Sequence, residues 1–139
     1  MKRSLKYLPF AERVNSPRWK FYLFCQDGAC PVEDFLGDLP DADFDKFLDR
    51  CRRYAVVGKN ANEQQFRYLK GREYKGIAEF KLRGGFRVLC FFCERKCILV
   101  EGCKKQSTGA RSSNRAAYKR AKERRDAWLA FFLEKQNRG

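Results

Sequence analysis

Between Gly76 and Lys105 polar and apolar positions alternate along the chain, and short polar breaks interrupt them. Ile77, Glu79, Lys81 and Arg83 form one period-two set, and Ala78, Phe80 and Leu82 form a second, apolar one. A strand with one buried and one wet face has this pattern. Gly84-Gly85 supplies a tight turn, since glycine takes positive φ without steric cost. Phe86 to Cys93 reads as a central strand rich in aromatic and apolar residues. Glu94-Arg95-Lys96 reads as a second turn, and Cys97 to Gly102 as a third strand. The stretch is therefore expected to form a three-stranded antiparallel meander, with Lys81, Arg83, Arg87, Lys104 and Lys105 near one end.

Upstream, Trp19 to Cys25 has aromatic strand character. Cys30-Pro31-Val32-Glu33-Asp34-Phe35-Leu36 opens a helix, with proline in the first turn and carboxylates at its N-terminal dipole. Val32, Phe35, Leu36 and Leu39 share one face of it. After Pro40, Phe44, Phe47, Leu48, Cys51 and Ala55 recur at helical spacing until Gly58. These two helices are expected to form a hairpin with a shared apolar face. Its outer face is acidic early (Asp41, Asp43, Asp45, Asp49) and basic late (Arg50, Arg52, Arg53). Gln65 to Leu69 is a short strand candidate, and Lys70 to Gly76 a charged loop. Ser112 or Ser113 suits the cap of a last helix running to about Lys135. Its apolar face is Ala117, Ala121, Trp128, Leu129 and Phe132; Arg115, Lys119, Lys122 and Arg125 make much of the other face basic. Residues 1–18, interrupted by Pro9 and Pro17, read as a loosely docked basic arm, and residues 19–139 as a single domain.

Composition sharpens this picture mainly through charge. Thirty-one Lys and Arg face 17 Asp and Glu, a net charge of +14. From Lys104 onward eleven Lys and Arg stand against three acids, so much of the excess sits in the last quarter. Such a balance points to nucleic acid, the ribosome, an acidic protein or an anionic membrane surface as partner. No apolar run reaches the roughly 18 residues of a membrane span, and no signal-peptide pattern opens the chain. The expected location is the cytoplasm.

Seven cysteines are an odd number in a chain large enough to build a core, which reads as reduced intracellular thiols. Cys90-x2-Cys93-x3-Cys97-x5-Cys103 is dense enough to be weighed as a zinc site. However, the chain has no histidine, and Cys90 and Cys93 would face opposite sides of a strand, so no metal ligands are assigned. Cys93 and Cys97, flanking a turn, are a candidate redox-sensitive pair.

The absence of histidine removes Ser-His-Asp, Cys-His and paired-histidine ribonuclease devices. There is no glycine-rich phosphate loop before a helix and no dinucleotide fingerprint. Cationic chemistry on phosphate remains. Cleaving RNA at a 2′-hydroxyl needs a base, charge stabilisation at phosphorus and protonation of the 5′-oxygen. Arginine suits the second role through its planar fork. A lysine crowded by cations can carry the proton, because like charges disfavour its protonated form. Glu79, on the same strand face as Lys81, is an alternative base.

In order and in residues the chain resembles the RelE/HigB toxins, particularly the phage-type HigB branch, from about Lys20 to about Asp126. The resemblance rests on Pro31-Val32-x-x-Phe35-Leu36 and the helix ending at Gly58, then Tyr68-Leu69-Lys70-Gly71, Gly76 to Lys81, Phe86-Arg87-Val88-Leu89 and Gly102-Cys103-Lys104-Lys105. It implies an α+β fold, an N-terminal helical hairpin packed on a twisted antiparallel sheet with a basic C-terminal helix. It also implies a ribosome-dependent endoribonuclease that cuts mRNA without metal or other cofactor and is held inactive by a partner antitoxin. Carried over, Arg87 would bind the scissile phosphate, with Lys81, Lys104 and Glu79 as further catalytic candidates. Arg83, Lys105, Arg111, Arg115 and Tyr118 are candidates for RNA binding. The same fold includes ParE-like inhibitors of DNA gyrase, and a basic nucleic-acid-binding module without catalysis is a further alternative. The N-terminal arm and the linker from Gln106 to Arg111 depart from the compact members.

Overall fold

The computed structural model describes residues 3–8, 19–57, 65–104 and 110–138. Their order is β1 (Arg3–Leu8), β2 (Lys20–Gln26), α1 (Pro31–Gly37), α2 (Asp41–Val57), β3 (Phe66–Tyr68), β4 (Ile77–Lys81), β5 (Phe86–Cys93), β6 (Lys96–Lys104) and α3 (Ala110–Arg138). The fold is α+β, with one six-stranded sheet in the order β1-β2-β6-β5-β4-β3. The meander is present as the periodicity predicts, and β5 and β6 lie in the sheet interior. Gly84 and Gly85 take φ of 74° and 83° at its first turn, a conformation costly for any other residue.

Three expectations are corrected. Two strands precede the helices, so the helical pair is not N-terminal. Residues 3–8 of the supposed arm form an edge strand, antiparallel to β2 from Arg3 opposite Gln26 to Leu8 opposite Phe21. The sheet is mixed: β2 runs parallel to β6, with Phe21 beside Cys97 and Leu23 beside Leu99. Everything from α1 to β5 lies between those two strands, which provides the long connection that parallel neighbours need. Pro9 and Pro17 fall outside the described residues.

Helices cover both faces of the sheet. On one face Phe21, Leu23, Phe80, Val88, Cys90, Cys97 and Leu99 pack with Val32 and Leu36 of α1 and with Phe47, Cys51, Tyr54 and Ala55 of α2. Pro31 occupies the first turn of α1, beside Glu33 and Asp34, as its sequence predicts. Phe47 meets Phe80 edge-on at 5.6 Å. On the other face Ile77, Leu89, Phe91, Ile98 and Val100 pack under Ala117 and Ala121 of α3, with Trp128 and Leu129 farther along that helix.

The second layer overturns the wet face expected for β4, whose Ile77 and Glu79 are 0% and 1% exposed. Alternation reports polarity, and α3, distant in sequence, decides whether the polar side meets water. The layers also meet closely at β6. A Cβ on Gly102 would stand 2.2 Å from Phe35 Cγ, so only glycine lets α1 settle there.

Candidate nucleic-acid interface

The turn at Gly84-Gly85 brings the cationic residues of β4 and β5 together. Lys81 pairs in register with Arg87, and Arg87 with Cys103 of β6, giving a row across three strands. Arg83 lies exposed in the turn. Arg87 is half-buried, and its Nη1 donates to the carbonyls of Leu82 at 3.2 Å and Phe86 at 3.0 Å. Those two bonds fold the guanidinium onto the hairpin. Lys104 sits opposite Phe86 in register, and its ammonium lies 5.2 Å from that ring's centroid. Phe86 in turn meets Phe35 of α1 at 6.3 Å. The structure thus brings Lys81, Arg83, Arg87 and Lys104 to one end of the central strands. Lys105 lies outside the described residues; Arg111 falls within α3 but its side chain is not described.

Arg50 of α2, which the sequence assigns to a basic outer face, is half-buried. It follows Phe47 by one helical turn and precedes Cys51, both fully buried, so it occupies the rim of the face that α2 turns to the sheet. Its guanidinium is pushed below the ordinary arginine value, first by burial and then by the charges of Arg87 and Arg83.

Glu79 and Tyr118 lie elsewhere. Glu79 is one row deeper than Lys81, opposite Leu89 and Arg67, and its Oε1 accepts from Arg67 Nε at 2.8 Å. Tyr118 of α3 donates to its other oxygen at 3.4 Å, and the Tyr118 ring packs against Tyr74. Burial, then the Glu79 charge, raises the Tyr118 phenol, so it remains a proton donor there. The expected base is thus closed under α3 in a paired cluster, withdrawn from solvent.

A second buried carboxylate, Glu101, pins α3 to the sheet. It accepts from Arg120 Nε and lies 3.1 Å from Arg124 Nη1, which also donates to the Val100 carbonyl at 2.7 Å. Arg125 donates to the carbonyls of Lys75 and Glu73. Several cations of α3 are therefore tethers, whereas Arg115 and Lys119 are exposed. A helix-face count cannot separate the two roles, because the acceptors belong to distant segments.

The cysteines also depart from expectation. Cys25 and Cys30 form a disulfide instead of remaining reduced. Asp27 and Gly28 make a tight turn at φ 52° and 86°, and Gln26 and Ala29 exchange backbone hydrogen bonds. The next pair outward, Cys25 and Cys30, is left side by side. Cys93 and Cys97 are not a pair: Cys93 packs on the α3 side of the sheet and Cys97 on the α1–α2 side. Cys51, Cys90 and Cys97 are fully buried together on the α1–α2 side. Burial raises the Cys51 and Cys97 thiols well above their ordinary value. Among the described residues no group of three or more Cys, Asp or Glu is arranged to hold a metal ion. Cys103, in the row with Arg87, is pushed up to about 11 by burial and by Glu79 and Glu101, so at neutral pH it is a thiol, not a nucleophilic thiolate.

An open cavity of about 660 Å³, lined by Tyr68, Leu69, Gly71, Arg72, Lys75 and Gly76, lies at the other end of β4 from the cations. No helix among the described residues is long and apolar enough to cross a membrane. With no histidine in the chain, the hairpin end offers fixed positive charge and hydrogen-bond donors, which suits anionic oxygens. Comparison with models of protein families, with curated proteins and with solved structures finds no match to this chain.

Proposed function

We propose that this chain is a ribosome-dependent endoribonuclease, the toxin of a toxin–antitoxin pair, that cleaves mRNA by attack of a 2′-hydroxyl on the adjacent phosphate. The observation that supports this reading is the convergence of Arg87, Lys81, Arg83 and Lys104 on one hairpin end, joined to the ordered sequence blocks of the RelE/HigB resemblance. In this reading Arg87, held by two carbonyls, bonds the phosphate oxygens and offsets the charge that grows on phosphorus. Lys81, its register partner, carries the proton in place of Glu79, whose carboxylate is engaged by Arg67 and Tyr118. Lys104, Arg83 and Arg115 hold the flanking backbone. The +14 charge favours association with the ribosome and with an acidic antitoxin segment in the cytoplasm.

The test is induced expression in a bacterial host of the wild type and of Arg87→Ala, with mapping of new RNA 5′ ends on translated messages. Cuts at a fixed position within codons, lost in a folded Arg87→Ala protein, are the expected result. Growth arrest with intact messages would instead favour a ParE-like action on gyrase. Neither arrest nor cuts would leave a basic nucleic-acid-binding module.

A further inference from the structure

The cavity at the far end of β4 takes no part in the hairpin site. It holds about 660 Å³ and is lined by Tyr68, Leu69, Gly71, Arg72, Lys75 and Gly76, from the end of β3 and the loop that joins it to β4. A volume of that size suits a small ligand or one unit of a longer one. Leu69, nearly buried, and the Tyr68 ring give it apolar surface. Tyr68 is 45% exposed although Phe66 and Phe92 brace its ring at 5.9 and 6.2 Å. A braced aromatic ring that still meets solvent is a platform on which a flat partner can stack.

The loop is held along its length. Leu69 N donates to the Ile77 carbonyl at 2.8 Å, Tyr74 N to that of Gly71 at 3.2 Å and Lys75 N to that of Arg72 at 3.3 Å. From α3, Arg125 donates to the carbonyls of Glu73 and Lys75, and the Tyr118 ring packs against Tyr74. The cavity is therefore formed in advance, and filling it costs little ordering. Lys70, Arg72 and Lys75 are exposed in this loop against one carboxylate, Glu73, which lies beside Gly71. Neither Arg72 nor Lys75 has an ion-pair partner among the described residues. An open ring beside two unpaired cations matches a base joined to a phosphate.

We infer that this cavity is a second RNA subsite, in which one unpaired base stacks on Tyr68 while Arg72 and Lys75 hold its phosphate. The inference deepens the nucleic-acid reading above and rests on it for the ligand, single-stranded RNA. The four residue steps from Ile77 to Lys81 separate the subsite from the hairpin cations by about 13 Å, so a strand of several nucleotides reaches both.

The experiment uses the full chain and a labelled oligoribonucleotide of about eight nucleotides, within the usual range of single-strand sites. Its 2′-O-methyl groups let it bind without being cut. Wild type, Tyr68→Leu, Tyr68→Phe and the double variant Arg72→Gln/Lys75→Gln are titrated at several salt concentrations. Tyr68→Leu is expected to bind about tenfold more weakly at an unchanged salt slope, because it loses stacking and no charge. Tyr68→Phe, which keeps the ring, should bind as the wild type does. The double variant should lose about 0.7 from the slope of log K against log salt, the value for one phosphate on a single strand.

Unchanged binding in Tyr68→Leu and in the double variant would overturn the subsite and leave the nucleic-acid reading standing on the hairpin end. Loss in the double variant alone would mark a basic surface for acidic chains, protein included, and would overturn the base site. The double variant changes exposed residues only, so it decides the matter if Tyr68→Leu does not fold; an unchanged slope there overturns the subsite. If the wild type binds no RNA, the nucleic-acid reading falls, and thermal unfolding with adenosine 5′-monophosphate decides the cavity by itself. Stabilisation of the wild type but not of the double variant would retain it as a nucleotide site; stabilisation of neither, or of both alike, would overturn it.

Discussion

Arg67 and Glu79 stand opposite one another on β3 and β4, and their side chains close an ion pair at 2.8 Å over a carboxylate that is 1% exposed. The residue that the sequence offers as a catalytic base is thereby committed to holding the edge strand and, through Tyr118, the last helix. A short three-residue strand such as β3 has few ladder bonds of its own, and this pair ties it to the sheet.

Removal of Arg67 strands the Glu79 charge beneath α3. Arg67→Ala is expected to lower stability by about 3 kcal/mol, the low end for breaking a buried pair, because the arginine is itself 41% exposed. Urea unfolding at neutral pH measures it. Arg67→Ala combined with Glu79→Leu should recover much of the loss; additive losses would show that the pair is not the cause.

Gly102 admits α1 only because it has no side chain. A methyl group there meets the Phe35 ring, so Gly102→Ala should cost about 1–3 kcal/mol by overpacking. Thermal unfolding of Gly102→Ala, Phe35→Leu and the double variant checks this. In the double variant the added methyl should cost less than it does in the wild type, and equal costs in both backgrounds would refute the contact.

Alkaline pH should loosen the fold. Cys103 titrates at about 11 in the folded chain against an ordinary 9.0, so between those values the unfolded chain has released a proton that the folded chain still holds. The stability from this group is complete below pH 9 and is lost as pH rises to about 11. The buried Cys51 and Cys97 act in the same direction. Denaturant midpoints across that range should fall, and fall less in Cys103→Ser; a flat profile in the wild type would contradict the burial.

Thiol counting tests the disulfide directly. Alkylation of the denatured, unreduced chain should modify five cysteines, and all seven after reduction. Loss of the bond in Cys30→Ser should cost about 2 kcal/mol, the chain-entropy value for so short a loop. Seven modified residues before reduction would mean that the bond is absent from the folded protein.

Local patterns carried much of this fold. Glycine pairs and charged triplets end strands whatever surrounds them, so the β4–β5–β6 meander was legible from Gly84-Gly85 and Glu94-Arg95-Lys96. Likewise Pro31 with Glu33 and Asp34 announced α1, and the spacing of Phe47, Cys51 and Ala55 announced α2. The gathering of Lys81, Arg83, Arg87 and Lys104 followed, because register within a hairpin is set by its turn. Strand neighbours beyond the hairpins were not legible. Nothing within Arg3–Leu8 or Lys20–Gln26 states that one is an edge and the other lies parallel to β6.

The sequence by itself therefore determined the elements from β2 onward, the apolar faces of α1 and α2 and one cationic hairpin, but neither the strand Arg3–Leu8 nor the burial of the second face of β4. Only the tertiary structure decided that Glu79 is paired in the interior, that Cys25 is bonded to Cys30, and that Arg124 of α3 is tied to Glu101 and the Val100 carbonyl. The physical reason is one of range. Turn conformation and side-chain periodicity are properties of a few consecutive residues, whereas burial and ion pairing depend on which distant layer packs over them.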